Sequence, residues 1–165
     1  MKSKKIAQIG MLVALAMVFS YLESLVPISL GVPGIKLGLS NVVTVFALYQ
    51  FGAPLALGIS MVRIVLCGLT FGSFSTMLYS LAGGLLSFLV MIILKKTGKF
   101  SIYGVSAAGG VFHNIGQLIV AAWMLQSSML AYYMPFLMVA GIVSGAAIGM
   151  LGGMVWKRMA QQIDE

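Results

Sequence analysis

The sequence predicts an all-α integral membrane protein, a six-transmembrane-helix bundle, and three observations lead there. Of 165 residues, 61% are apolar and only 8% charged, with a mean hydropathy of +1.08. Soluble chains use about 25% charged residues to dress their surface, so most of this exterior must meet lipid instead. Six apolar runs, most of them long enough to span, are bounded by glycine, proline or charge. Eight of the ten Lys and Arg residues sit in three clusters beside those runs: Lys2, Lys4 and Lys5; Lys95, Lys96 and Lys99; and Lys157 and Arg158. Basic clusters flanking apolar segments mark the cytoplasmic face of a membrane protein. That placement accounts for the net charge of +7 without nucleic acid as a partner.

In chain order the spans read as residues 6–25, 35–49, 53–69, 73–94, 102–125 and 132–155, forming one transmembrane domain over 1–165. The first follows a basic segment, as a signal peptide would, but it is too long and ends without a cleavage site, so it reads as a retained helix. The second is short, about 22 Å at 1.5 Å per residue. Only Gln50, Phe51 and Gly52 separate it from the third, where Pro54 fits a first helical turn. The pair is expected to form a tight hairpin. With a cytoplasmic N-terminus, six crossings return all three basic clusters and the C-terminus to the same side. The segment 26–34, with Pro27, Gly31, Pro33 and Gly34, then lies outside and is expected to cap the bundle.

In the last helix Gly141, Gly145, Gly149 and Gly153 recur every four residues. Such a stripe admits close helix approach, either within the bundle or against a partner subunit. Gly10 and Ala14 form a weaker version in the first helix.

The remaining charges within or beside the spans are Glu23, Lys36 and Arg63. Each costs about 2.5–3.5 kcal/mol on insertion scales and therefore needs a partner, water or a function. By the topology all three fall toward the outer side. The fifth helix adds His113, Asn114 and Gln117 on one face, and Ser40 and Asn41 follow Lys36 by one turn. Four helices thus direct polar groups into the outer half, as a ligand pocket open to the outside requires. The three charges sum to +1, which favours an anionic, partly apolar small molecule. Arg63 is the candidate for a bidentate grip on carboxylate or phosphate.

The alternatives differ by residue. Lys36 could instead snorkel to headgroups, and His113 could bond between helices. Tyr79, inside the fourth helix, could line the cavity or fill the core. His113 is the sole histidine and Cys67 the sole cysteine, so no metal site is expected; Cys67 reads as a small buried hydrophobe.

Catalysis is not expected. Three acidic residues do not supply the clustered carboxylates that hold Mg²⁺ in diphosphate chemistry. Neither a phosphate-binding Gly-Lys-Ser/Thr loop nor a nucleophile–base set is present, and no cofactor is expected.

The stretches GIKLGLSNVVTVFALY (34–49), RIVLCGLTFGSFSTMLYSLAGGLLSFLVM (63–91) and GVFHNIGQLIVA (110–121) resemble a bacterial family known both as Gx transporter and as heptaprenyl diphosphate synthase component I. The resemblance covers nearly the whole chain. It implies a fold similar to the six-helix substrate-binding S components of energy-coupling factor (ECF) transporters, which two cytoplasmic ATPases and a membrane coupling subunit power. In that group the first helix docks through small residues, which makes Gly10 and Ala14 candidates here; alanines four apart are not kept, since Met11 follows Ala7. On this basis the chain is expected to bind a small molecule outside the cell and mediate its uptake across the bilayer. The other family label implies an alternative, a non-catalytic membrane subunit associated with a prenyl synthase, quinone biosynthesis or extracellular electron transfer.

Overall fold

The computed structural model describes residues 2–25 and 38–161, and every described element is helical. The helices are α1 (Lys2–Leu25), α2 (Asn41–Gln50), α3 (Ala53–Thr70), α4 (Phe74–Thr97), α5 (Ile102–Leu125) and α6 (Met134–Gln161), with a 3₁₀ turn at Ser128–Tyr133 before α6. All but α2 are long and apolar enough to cross a membrane. Large apolar side chains such as Leu69, Leu89, Ile119 and Val143 face outward, the arrangement a lipid solvent permits and water does not.

Local chemistry fixes the ends of these helices. At α4, Ser73 and Thr76 form a reciprocal cap: the Thr76 N–H donates to Ser73 Oγ at 3.2 Å, and the Ser73 N–H to Thr76 Oγ1 at 2.8 Å. Gly98, with φ +67°, closes the same helix. Ser101 caps α5, accepting from the Gly104 N–H at 3.3 Å. Pro54 lies in the first turn of α3, as its sequence position predicts. Helices α1, α4 and α6 run past their apolar cores into the lysine-bearing flanks. Backbone hydrogen bonding continues where the lipid-facing pattern stops.

The second helix departs from expectation. Of the expected span 35–49, residues 35–37 lie outside the described residues and residues 38–40 are not helical: α2 begins at Asn41, three residues after Gly38, whose φ of +81° a helix does not accept. Ten residues rise only about 15 Å, half of a hydrocarbon core of about 30 Å. This short helix lies against the C-terminal part of α6: a Cβ on Gly152 would sit 3.4 Å from the Val42 carbonyl oxygen, and Tyr49 meets Trp156 edge-on at 5.7 Å. Lys95, at the end of α4, donates to the Leu48 carbonyl at 2.6 Å and lies 4.5 Å from the centre of the Tyr49 ring.

More than half of α5 is buried, against a third or less of each other spanning helix. It packs between α4 and α6 on two glycine-lined seams. Toward α4, a Cβ on Gly116 would meet the Ala82 carbonyl at 2.7 Å, and one on Gly83 the His113 carbonyl at 2.7 Å. Toward α6, Gly110 faces the Gly141 carbonyl, and a Cβ on Gly145 would meet the Ser106 carbonyl at 2.5 Å. Gly149 lies against Ser106 and Tyr103, and Gly153 against Ile102. The stripe Gly141, Gly145, Gly149 is therefore filled by α5 of the same chain, the first of the two alternatives its spacing left open, and not by a partner subunit. Gly10 has open space around it and Ala14 is exposed.

Candidate functional site

Arg63 lies halfway along α3, buried to 6% exposure. Its Nη1 donates to Ser20 Oγ of α1 at 3.1 Å and to Ser40 Oγ just before α2. One guanidinium thus ties three elements together through two neutral hydroxyls. Its Nε has no partner. The Glu23 carboxylate, one turn beyond Ser20, accepts from the Gly38 N–H and acts on Arg63 electrostatically. The positive φ of Gly38 turns that amide toward α1, which gives the glycine a structural reason beyond ending a helix.

Across the cavity, α5 presents His113 and Gln117, four residues apart and so on one face. Gly83 of α4 makes room for them: a Cβ there would lie 2.8 Å from Gln117 Cγ and 3.1 Å from His113 Nδ1. Gln117 is 1% exposed, yet neither its Oε1 nor its Nε2 has a hydrogen-bond partner, whereas the His113 ring lies against the Gly83 backbone. Buried polar atoms in native proteins nearly always find partners. Two adjacent exceptions on one amide lining a cavity mark a place where a polar group can bind.

The walls are completed by Cys67, Gly68 and Gly72 from the end of α3 and by Thr76, Met77 and Ser80 from α4. The central space is about 20 Å³, room for one ordered water. The contributing stretches are the C-terminal halves of α1, α3 and α5 and the segments at the N-terminal ends of α2 and α4. They gather toward the end of the bundle opposite Lys95.

The residues expected from sequence divide clearly. Glu23, Arg63, His113 and Gln117 come together around the cavity. Asn114, although on the same helix, turns to α6, where its Nδ2 donates to the Leu137 carbonyl at 2.8 Å. It joins helices and does not line the cavity, because a 100° step along the helix separates it from His113. Asn41 is half-buried in the first turn of α2, and Tyr79 half-buried in α4; neither borders the cavity. Lys36 and the segment 26–34 lie outside the described residues. Ser20, Thr76 and Ser80, and the cavity-facing position of Cys67, were not anticipated. Their signal is spacing: Ser20–Glu23, Arg63–Cys67 and Thr76–Ser80 repeat the three- or four-residue interval of His113–Gln117 on separate helices. Among the described residues no three His, Cys, Asp or Glu side chains gather as metal ligands.

Comparison with known proteins adds two findings. The model of the family described as "Heptaprenyl diphosphate synthase component I" matches residues 12–155. A solved protein described as the S component of a bacterial ECF transporter superposes with a TM-score of 0.62 at 20% identity, over the full length of both chains. No curated protein sequence matches.

Proposed function

Since the chain belongs to the heptaprenyl diphosphate synthase component I family and has the fold of an ECF S component, we propose that it is a membrane-embedded substrate-binding subunit. It takes up a small, anionic, partly apolar molecule from outside the cell. The observation that supports this most directly is the buried Arg63, which donates to two neutral hydroxyls, keeps an unpaired Nε and shares its cavity with Glu23 and with a Gln117 whose amide atoms have no partner. A guanidinium in that state favours a carboxylate or phosphate. The chain itself is not a catalyst: its three acidic residues do not make the Mg²⁺ clusters of prenyl transfer. An importer of this kind draws its energy from elsewhere, and a coupling subunit with two ATPases is the proposed source. Both termini and the Lys95–Lys99 loop face the cytoplasm in this reading.

A test is ligand-linked stabilisation. At a free concentration of about 100 times Kd, a ligand adds about 2.7 kcal/mol to stability. Some member of a panel of vitamins, quinone precursors and prenyl phosphates should therefore raise the Tm of the wild type, and Arg63→Ala should abolish that rise. A rise of equal size in the variant removes Arg63 from the site. The family's name supports a second reading, a docking subunit for a soluble prenyl synthase. Affinity purification from native membranes separates the two: ATPases and a membrane coupling subunit favour uptake, a prenyl synthase without ATPases favours docking.

A further inference from the structure

Helices α1 and α6 each pack against α2, and between them an open groove of about 830 Å³ remains. Its walls are apolar: Phe19 and Leu22 from α1, Val42 from α2, and Leu151 and Val155 from α6. One end is basic. Lys157 and Arg158 line it, and Leu151, Val155 and Arg158 fall at i, i+4 and i+7, so the arginine continues the apolar row. Both cations are exposed. The only acid among the described residues, Glu23, is buried in the Arg63 cavity, where it accepts from the Gly38 N–H. Past Leu151 the face of α6 continues to Phe136 as a hollow whose only polar side chain is Ser144. Charge is thus confined to one end of a long apolar trough.

An occupant has to match that polarity. A second copy, or a spanning helix of another subunit, would bring its own cytoplasmic lysines and arginines to this end, and like charges would meet. An uncharged acyl chain gains little by leaving the bilayer, which is as apolar as the groove. A molecule with an apolar length and one negative end gains at that end: a phosphate accepts from Arg158 as a fork and from Lys157 as a point charge.

We propose that the groove between α1, α2 and α6 binds an anionic phospholipid of the adjoining leaflet, with an acyl chain along α6 and the phosphate on Lys157 and Arg158. This site shares no lining residue with the Arg63 cavity, and it holds whether or not the chain mediates uptake.

Native mass spectrometry of the full-length protein in mild detergent tests it, with phosphatidylglycerol and phosphatidylethanolamine of identical chains as probes. The first lipid retained should be phosphatidylglycerol, by about ten-fold, as two basic groups at a membrane surface allow. Lys157→Gln combined with Arg158→Gln should bring the ratio to about one, whereas Lys4→Gln with Lys5→Gln, on α1 and away from the groove, should leave it unchanged. Val155→Trp should fill the groove and lower retention of both lipids; Leu151→Phe replaces it if the tryptophan variant does not fold. In native membranes, benzoylphenylalanine at Val155 should cross-link phosphatidylglycerol beyond its share of the bilayer, and at the lipid-facing Leu89 only in proportion to it.

Equal retention of the two lipids, an equal loss of preference in the α1 control, or displacement by inorganic phosphate at the lipid's own concentration overturns the inference. So does a cross-link from Val155 to a second copy or another polypeptide in place of lipid.

Discussion

Arg63 and Asn114 are both buried polar groups in apolar helices, and they do opposite work. The Asn114 amide is spent on a neighbouring helix, the Leu137 carbonyl of α6, whereas Arg63 and Gln117 keep capacity in reserve. Interhelical hydrogen bonds in membranes are worth about 0.6–2 kcal/mol. Asn114→Leu is therefore expected to lower stability by about that amount while leaving ligand-linked stabilisation unchanged, as thermal melts with and without ligand will show. A variant that melts normally yet no longer responds to ligand would put Asn114 in the site after all. The sequence announced the ionisable and amide members of the site because such groups are expensive in lipid. It did not announce Ser20, Thr76 or Ser80, since a hydroxyl satisfies itself on its own helix and costs little there. Nor could it separate Asn114 from His113, because adjacent residues differ by only 100° and the decision rests on where the neighbouring helices stand.

At the scale of elements, α5 owes its central place to glycine. Without a hydrophobic driving force between helices in lipid, close packing carries the association, and Gly110, Gly116, Gly141 and Gly145 let backbones touch. Gly145→Val should force α6 away from the Ser106 carbonyl and cost about 1–3 kcal/mol, the usual penalty of overpacking. Gly10→Val, on a face with nothing nearby, should be nearly silent. Melting temperatures of the two purified variants check this, and equal losses would mean that the α5–α6 seam is softer than its distances imply. The spans of α3, α4 and α5 were legible to within a few residues, because glycine, proline and capping serines punctuate the apolar runs. The start of α2 was not. A glycine in an apolar stretch is compatible with a helix, and the contact the Gly38 N–H makes with the Glu23 carboxylate of another helix leaves no mark in the local pattern.

For the molecule as a whole, charge and polarity lie at opposite ends. Lys95 is anchored on Leu48 and Tyr49 at one end, while the cavity opens from mid-bundle toward the other. Under the proposed function the positive-inside rule puts the Lys95 end in the cytoplasm. On a Cys67→Ser background, a cysteine replacing Lys99 should react with a membrane-impermeant maleimide only in inverted vesicles, and one replacing Gln126 only in right-side-out cells. The reverse pattern would place the cavity on the cytoplasmic side and exclude uptake from outside.

The small size of the cavity sets how binding must proceed in time. A space of about 20 Å³ accepts no organic molecule as it stands, so the helices must part before or as the ligand enters, and such collective motions take microseconds to milliseconds. Capture is then governed by an internal clock. In stopped-flow measurements of the intrinsic fluorescence of Trp123 and Trp156, the observed rate should climb with ligand concentration and level off at the frequency of opening. A rate that rises linearly without a plateau would mean that encounter alone limits binding.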